Sequence, residues 1–290
     1  MEPMPDQPLK LPCLELWVDD PPILVKTAAY WARLRELGVQ TAALMVDTTE
    51  TGFDLVYGPR DLETIANLAR QYDIALAATM WPEPDMAKID KACEMLDRDV
   101  LPLGFVALEN DAEHNWRTDK VVGFESLDGA AAYLAGRQRD LCLKHDLRLE
   151  MTTHTGHREA GPRAVLARLV DRCYYQLYST ESDWQGRAVV WSGPRGPGRL
   201  QREFLEKVRL AIPELADGRV GLAAGLAFYD QKWPSHTVEE ALDAAVAPLT
   251  APDILAIRAW SSKWAAGVKS QTTNQRAVSA WVKGRWGFRP

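Results

Sequence analysis

The chain has 290 residues, 47% of them hydrophobic, and a formal net charge of −6. That is enough apolar material for a large core, and an acidic balance without a long basic block excludes the electrostatic footprint of a nucleic-acid binder. Cys13, Cys93, Cys142 and Cys173 form no Cys-x-x-Cys pair and no zinc-type arrangement with histidine, so they read as buried thiols and no metal or other cofactor is expected.

No stretch reaches about 18 unbroken apolar residues, so no membrane insertion is expected. The N-terminus has neither the basic start nor the apolar run of a signal peptide. Cytoplasmic synthesis is the expectation, with action on a cell wall only after release.

Residues 1–12 read as a Pro-rich lead and 13–290 as one domain. Leu14–Asp19 is a first strand, followed by a helix opened by Pro21-Pro22, with Leu24, Ala28, Trp31 and Leu34 at helical spacing and Gly38 at its end. Thr41–Asp47 is a buried strand ending in an acid, and a helix from about Pro59 turns Leu62, Ile65, Ala66 and Ala69 inward. Ile74–Trp81 is the third strand, and Pro84–Leu96 the third helix.

The fourth strand starts at Leu103 and turns acidic at Glu109, Asp111 and Glu113. Alternate positions share one face while the chain stays extended, so these carboxylates crowd each other and raise the pKa of at least one. A helix follows over Ser126–His145, with Ser126 as N-cap. Strand five is Leu147–Thr153, helix five Pro162–Val170 and strand six Cys173–Tyr178. A long loop through Trp184 and Trp191 suits a lid or a subsite wall. Helix six covers about 200–211, strand seven Val220–Ala227, helix seven Thr237–Ala247, strand eight Ile254–Trp260, and the last helix Gln275–Lys283.

Eight strand–helix units at a period of roughly 30 to 40 residues, with short apolar strands, predict an α/β fold, a single-domain (β/α)8 TIM barrel. The rival open sheet would carry a Gly-rich phosphate turn of the G-x-G-x-x-G type, and none is present.

In such barrels the active site lies at the C-terminal ends of the strands. That rule selects Asp19, Asp47, Trp81, Glu109, Asp111, Glu113, Glu150, Gln176, Tyr178, Tyr229, Asp230 and Trp260. The set is acids and aromatics without a Ser or Cys nucleophile beside a His, which is the chemistry of glycoside hydrolysis. The 11 tryptophans strengthen it, because Trp81, Trp116, Trp184, Trp191, Trp233 and Trp260 fall at or beyond strand ends, where aromatic faces suit sugar rings. Glu150 is an acid among apolar neighbours and needs a partner.

Glu109-x-Asp111-x-Glu113 resembles the D-x-D-x-E ending of the family 18 glycoside hydrolases, with Glu in place of the first Asp and Val106-Ala107 in place of the upstream Asp-Gly. Tyr178 and Trp260 sit where that family has its tyrosine and its floor tryptophan. Muramidase-type cell-wall hydrolases with a D-x-E pair are similar at Asp111 and Glu113. The barrel pattern covers most of the chain, whereas the specific residues are few.

The resemblance implies Glu113 as general acid and then base, Asp111 as its tuner, and Glu109 behind them. It also implies Tyr178 holding the substrate's acetamido group in a substrate-assisted mechanism, and Trp260 under the sugar. Asp47 or Glu150 is the partner if two carboxylates act instead, and Asp47, Trp81, Glu150, Gln176 and Trp260 are the expected substrate contacts. The implied partner is a GlcNAc-containing polysaccharide, peptidoglycan ahead of chitin, handled by a monomer. Two alternatives stand beside it: a carbohydrate-binding barrel without turnover, and a metal-dependent sugar-isomerase-like barrel using Glu150, His154 and His157.

Overall fold

Strands whose side chains must all be buried, half inside a barrel and half beneath helices, read as near-continuous apolar runs. In the computed structural model those runs are β1 (Cys13–Val18), β2 (Val39–Thr48), β4 (Ala75–Met80), β5 (Ala107–Asp111), β6 (Arg148–His154), β7 (Arg172–Gln176), β8 (Gly221–Ala227) and β9 (Ile254–Trp260). A two-residue β3 (Asp54–Leu55) pairs antiparallel with the end of β2. The structure describes residues 11–18, 20–48, 54–112, 116, 121–154, 162–176, 205–206, 209–210, 214, 218–227, 237–250, 253–260 and 273–287.

The eight long strands are parallel and run in the order β1-β9-β8-β7-β6-β5-β4-β2. Pairing of β1 with β2, with Trp17 opposite Ala43, closes the sheet into a barrel. The expected (β/α)8 architecture is therefore present. Its helices among the described residues are α1 (Pro22–Val25), α2 (Ala28–Glu36), α3 (Pro59–Gln71), α4 (Met86–Met95), α5 (Leu127–His145), α6 (Pro162–Leu169), α7 (Val238–Val246) and α8 (Thr273–Trp286). None is long and apolar enough to cross a membrane.

Two elements differ from the sequence reading for local reasons. The first helix is broken: Thr27 is extended (φ −111°, ψ 140°) and its hydroxyl donates to Leu24 O at 2.7 Å, so α1 stops there and α2 begins after it. The acidic strand starts at Ala107 instead of Leu103. Leu96–Val100 and Leu101–Leu103 continue α4 as irregular turns, which end at Gly104 in the left-handed region (φ +87°). The apolar residues there serve the helix end, not the sheet.

The predicted N-cap of α5 holds: Ser126 accepts from Gly129 N at 3.1 Å. At the start of α7, Thr237 and Glu240 add a reciprocal capping box. The described part of predicted helix six, at 205–206 and 209–210, is helical. The end of α8 closes the underside of the barrel, where Trp286 Nε1 donates to Pro12 O at 2.8 Å just before β1.

Strand alternation divides the core in two. Outward residues such as Leu14, Leu16, Leu44, Leu76, Leu108 and Leu149 are fully buried beneath the helices. Each such side chain contributes roughly 1.5–3 kcal/mol by leaving water, so this outer layer carries most of the stability. The inner face is largely alanine: Ala43, Ala77, Ala107, Ala223 and Ala256 surround Trp17 and Tyr174. Small residues on most strands leave room for a few very large ones.

Candidate active site

One large inner side chain is Arg258, on β9 between Ile257 and Ala259, and it is wholly enclosed. A guanidinium in such a place demands carboxylates. Three converge on it from three other strands. Its Nη2 lies 2.7 Å from Glu15 Oε2 and 2.7 Å from Glu150 Oε2, and its Nη1 lies 2.6 Å from Glu109 Oε1. The guanidinium carbon also stands 3.8 Å from the Tyr174 ring centroid, a cation–π distance. Tyr174 donates its hydroxyl to Glu15 at 2.7 Å, and Arg172 Nη1 adds a second cation 3.3 Å from Glu15 and 3.8 Å from Glu150.

The charges shift one another in consistent directions. Burial raises the Glu150 carboxyl, but Arg258, Arg172 and Arg148 outweigh it and hold the group below the ordinary glutamate range. Burial also works against the charged form of Arg258, yet Glu109, Tyr174, Glu15 and Glu150 keep it far above the ordinary value, as a permanent cation. The Tyr174 hydroxyl is driven well above its usual value by burial first, so it stays a neutral donor.

Above this ionic layer lies an aromatic one. Trp17 sends its Nε1 to Glu109 on β5, at 3.2 Å from Oε2, while its Cη2 would stand 3.2 Å from a Cβ placed on Gly225 of β8. The indole therefore crosses the lumen, and glycine at 225 is what makes room for it. Trp260, half-buried at the end of β9, packs on Trp17 with ring centroids 6.0 Å apart at 55°. The mouth thus has a two-tryptophan floor.

The expected residues divide accordingly. Asp111, Gln176 and Trp260 end β5, β7 and β9, and Trp81 follows β4 directly, so all four stand at the mouth. Asp111 is 9% exposed and Gln176 6%, with Trp81 half-buried. Asp47 falls near the end of β2. Beyond Asp111 the chain remains bonded to β6, through Ala112 N to Thr152 O at 3.0 Å and Thr153 Oγ1 to Ala112 O at 3.1 Å. The backbone is thus held up to the residue before Glu113. Glu113 itself, with Tyr178, Asp19, His157, Trp184, Trp191, Tyr229, Asp230 and Trp233, lies outside the described residues, as do the side chains of Asp47 and His154.

Glu109 and Glu150 sit deeper than their sequence positions imply. Both are fully enclosed, and Glu150 is the third residue of a seven-residue strand, four short of its end. Glu109 accepts hydrogen bonds from Thr79 at 2.5 Å, from Thr152 and from Trp17, and Arg258 Nη1 stands against it as an ion contact at 2.6 Å. These two acids pair with the barrel's own cation. Glu150 has the partner that an acid among apolar neighbours requires, and with its oxygens on arginines it is an anion already neutralised, not a carboxylate set up for a metal. Among the described residues no group of three or more His, Cys, Asp and Glu could hold a metal ion.

Trp116 is also corrected. It is 1% exposed and donates its indole N–H to Pro82 O at 2.9 Å, so it is core, not a sugar platform.

Sequence reasoning missed Glu15, Arg258, Trp17, Tyr174 and Arg172. A signal existed for the first two, since a charged residue flanked by aliphatics on a buried strand implies an internal partner.

No protein-family profile and no curated protein matches the chain in sequence. Solved structures do match in fold. The spore cortex-lytic enzyme SleL of Bacillus megaterium QM B1551 superposes with a TM-score of 0.61 at 10% identity, over 98% of this chain and 76% of that one. The GH18 chitinase ChiB from the chitin utilization locus of Flavobacterium johnsoniae gives 0.58 at 10% identity, over 94% of each. The xylanase-α-amylase inhibitor protein XAIP-I, solved with trehalose, gives 0.58 at 11%, over 93% of this chain and 96% of that one. The chain thus has the closed (β/α)8 fold that glycoside hydrolases of the chitinase type share.

Proposed function

We propose that the protein is a glycoside hydrolase acting on a GlcNAc-containing polysaccharide at the C-terminal mouth of the barrel. The observation that carries this reading is the pairing, at one mouth, of Asp111 on β5 with the Trp17–Trp260 floor. An acid beside a broad aromatic surface suits a pyranose whose C–H face stacks while its hydroxyls stay hydrogen-bonded. The fold shared with a chitinase and a spore cortex-lytic enzyme supports the same substrate class, since chitin and peptidoglycan both carry the 2-acetamido group.

In this reading Glu113 protonates the glycosidic oxygen as the C1–O bond breaks, and the acetamido carbonyl oxygen, held by Tyr178, bonds to C1. Water then adds at C1 and gives its proton to Glu113, so the acetamido group is released and the anomeric configuration is retained. Asp111 stabilises the charge that develops on the acetamido group. Trp260 stacks beneath the ring, with Trp81 and Gln176 at its edges. Glu109 holds the layer below.

A second reading has one observation in its favour. XAIP-I is a barrel of this fold described as an inhibitor, and the Arg258-paired glutamate here stands where the resembling family has aspartate. A carbohydrate-binding barrel without turnover is therefore the rival. Incubation with chitin, chito-oligosaccharides and purified peptidoglycan, followed by reducing-end release and by calorimetric binding, separates the two. Release of reducing ends supports the hydrolase. Binding without release supports the rival, and neither result on any of the polymers overturns both.

A further inference from the structure

Beneath the helices the outer layer of the sheet is largely apolar. The contact between β5 and α5 departs from that. The outward residues of β5 are Leu108 and, one alternation on, Asn110, and among the seven buried residues of α5 stands one amide, Gln138. Asn110 and Gln138 are both fully enclosed. Their amides meet reciprocally: Asn110 Nδ2 donates to Gln138 Oε1 at 2.6 Å, and Gln138 Nε2 donates to Asn110 Oδ1 at 2.7 Å. Gln138 Nε2 also reaches Met80 Sδ at 3.0 Å. Met80 is the last residue of β4 and stands opposite Asn110 in the ladder.

Two aliphatic side chains would fill this space without taking amides out of water. The amide pair supplies alignment instead. Three of the other six buried residues of α5 are alanines, Ala130, Ala131 and Ala135, and side chains so short give a helix little shape with which to hold one register on a sheet. Two opposed hydrogen bonds weaken steeply once their geometry is disturbed, so they admit a single alignment.

That alignment bears on the mouth. Asn110 lies between Glu109 and Asp111, whose side chains point the other way, and Met80 is followed directly by Trp81. One helix thus grips the ends of two neighbouring strands from behind, at the level where they deliver Trp81 and Asp111.

We infer that Asn110 and Gln138 are positioning residues for the proposed active site: their amide pair locks α5 to the ends of β4 and β5 and so sets the height at which Trp81 and Asp111 stand. The effect on hydrolysis rests on the glycosidase reading, whereas the lock does not.

The test compares wild type with Gln138→Met and with the double variant Asn110→Leu/Gln138→Met. The single variant leaves a buried amide without its partner and should lower the urea midpoint by about 0.5 M or more. The double variant removes both amides at similar volume, and its midpoint should stay within about 0.3 M of wild type. Backbone amide exchange followed by NMR reads the strand end, through the Ala112 N–H that is bonded to Thr152 O. In the double variant exchange at Ala112 should quicken about tenfold or more, while amides of β8 and β9, across the barrel, change by less than about twofold. In chito-oligosaccharide hydrolysis kcat should fall about tenfold with KM within about threefold, because the pair aligns groups that act in the transition state and touches no substrate itself.

Wild-type exchange at Ala112 in the folded double variant, or wild-type kcat there, overturns the inference. So does exchange that quickens equally on β8 and β9, since that is a general loosening. If the double variant does not fold, Gln138→Met decides by the same comparison of Ala112 with β8 and β9. If the wild type hydrolyses no substrate, the glycosidase reading fails, and the exchange comparison still decides the lock.

Discussion

Replacing Arg258 with Met removes the charge and keeps much of the side-chain volume. Three ion contacts at 2.6–2.7 Å disappear together with a cation–π contact at 3.8 Å; among the described residues Glu15 and Glu150 keep Arg172, Glu150 also keeps the partly exposed Arg148, and Glu109 keeps no cation in contact. Breaking a buried pair by removing one partner costs about 3–5 kcal/mol, because a buried charge is left uncompensated. The loss at pH 8 should reach at least that, measured by urea unfolding with linear extrapolation. Its pH dependence is the sharper readout. In wild type the depressed Glu150 contributes stability above the ordinary glutamate value of 4.5, and that contribution is lost as pH falls through its lower folded value. In Arg258→Met, Glu150 loses the largest of the charges that hold it down while burial still raises it, so protonation relieves it as pH falls. The deficit relative to wild type should therefore shrink by about 1–2 kcal/mol between about pH 8 and pH 5. An equal deficit at both pH values, or one below about 1 kcal/mol at pH 8, refutes the assignment of Arg258 as the interior's counterion.

Other outcomes follow from the floor and the frame. Trp260→Ala should weaken chito-oligosaccharide binding about tenfold by calorimetry while unfolding hardly changes, and unchanged affinity would remove Trp260 from the sugar site. Gly225→Ala puts a Cβ 3.1 Å from Gln176 Cα and 3.2 Å from Trp17 Cη2, so it should displace the indole and lower the same affinity, with a smaller effect than Trp260→Ala. Gly38→Ala combines a left-handed backbone (φ +79°) with a Cβ 1.9 Å from Trp286 O. It should cost about 1–3 kcal/mol in chemical unfolding by unseating α8, and a change within about 0.5 kcal/mol would contradict that packing.

The barrel was legible because its cause is periodic. Ile254–Trp260, Pro162–Leu169 and the helix capped by Ser126 announce themselves by spacing and by end residues, and those local signals agree with the closed sheet. The strand boundary near Leu103 is not legible, because an apolar run looks alike on a strand and on the last turns of a helix, and only Gly104 marks the change. The depth of a residue in the barrel was harder still. Glu109 and Asp111 are one alternation apart, yet one belongs to the interior's charge balance and the other to the mouth. What separates them is Arg258, 149 positions beyond Glu109, and no local pattern reports a partner that closure of the sheet brings across the lumen. Trp116 failed for a related reason, since a tryptophan past a strand end is equally suited to roofing the core.

The proposed hydrolysis depends on Glu113 as the acid, and the most direct measurement is turnover of a chito-oligosaccharide or a peptidoglycan fragment by wild type and by Glu113→Gln at equal folded concentration. The wild type should hydrolyse the substrate, and kcat should fall by about 10²–10⁴-fold in Glu113→Gln, with substrate still bound. Wild-type turnover that persists in Glu113→Gln would contradict it.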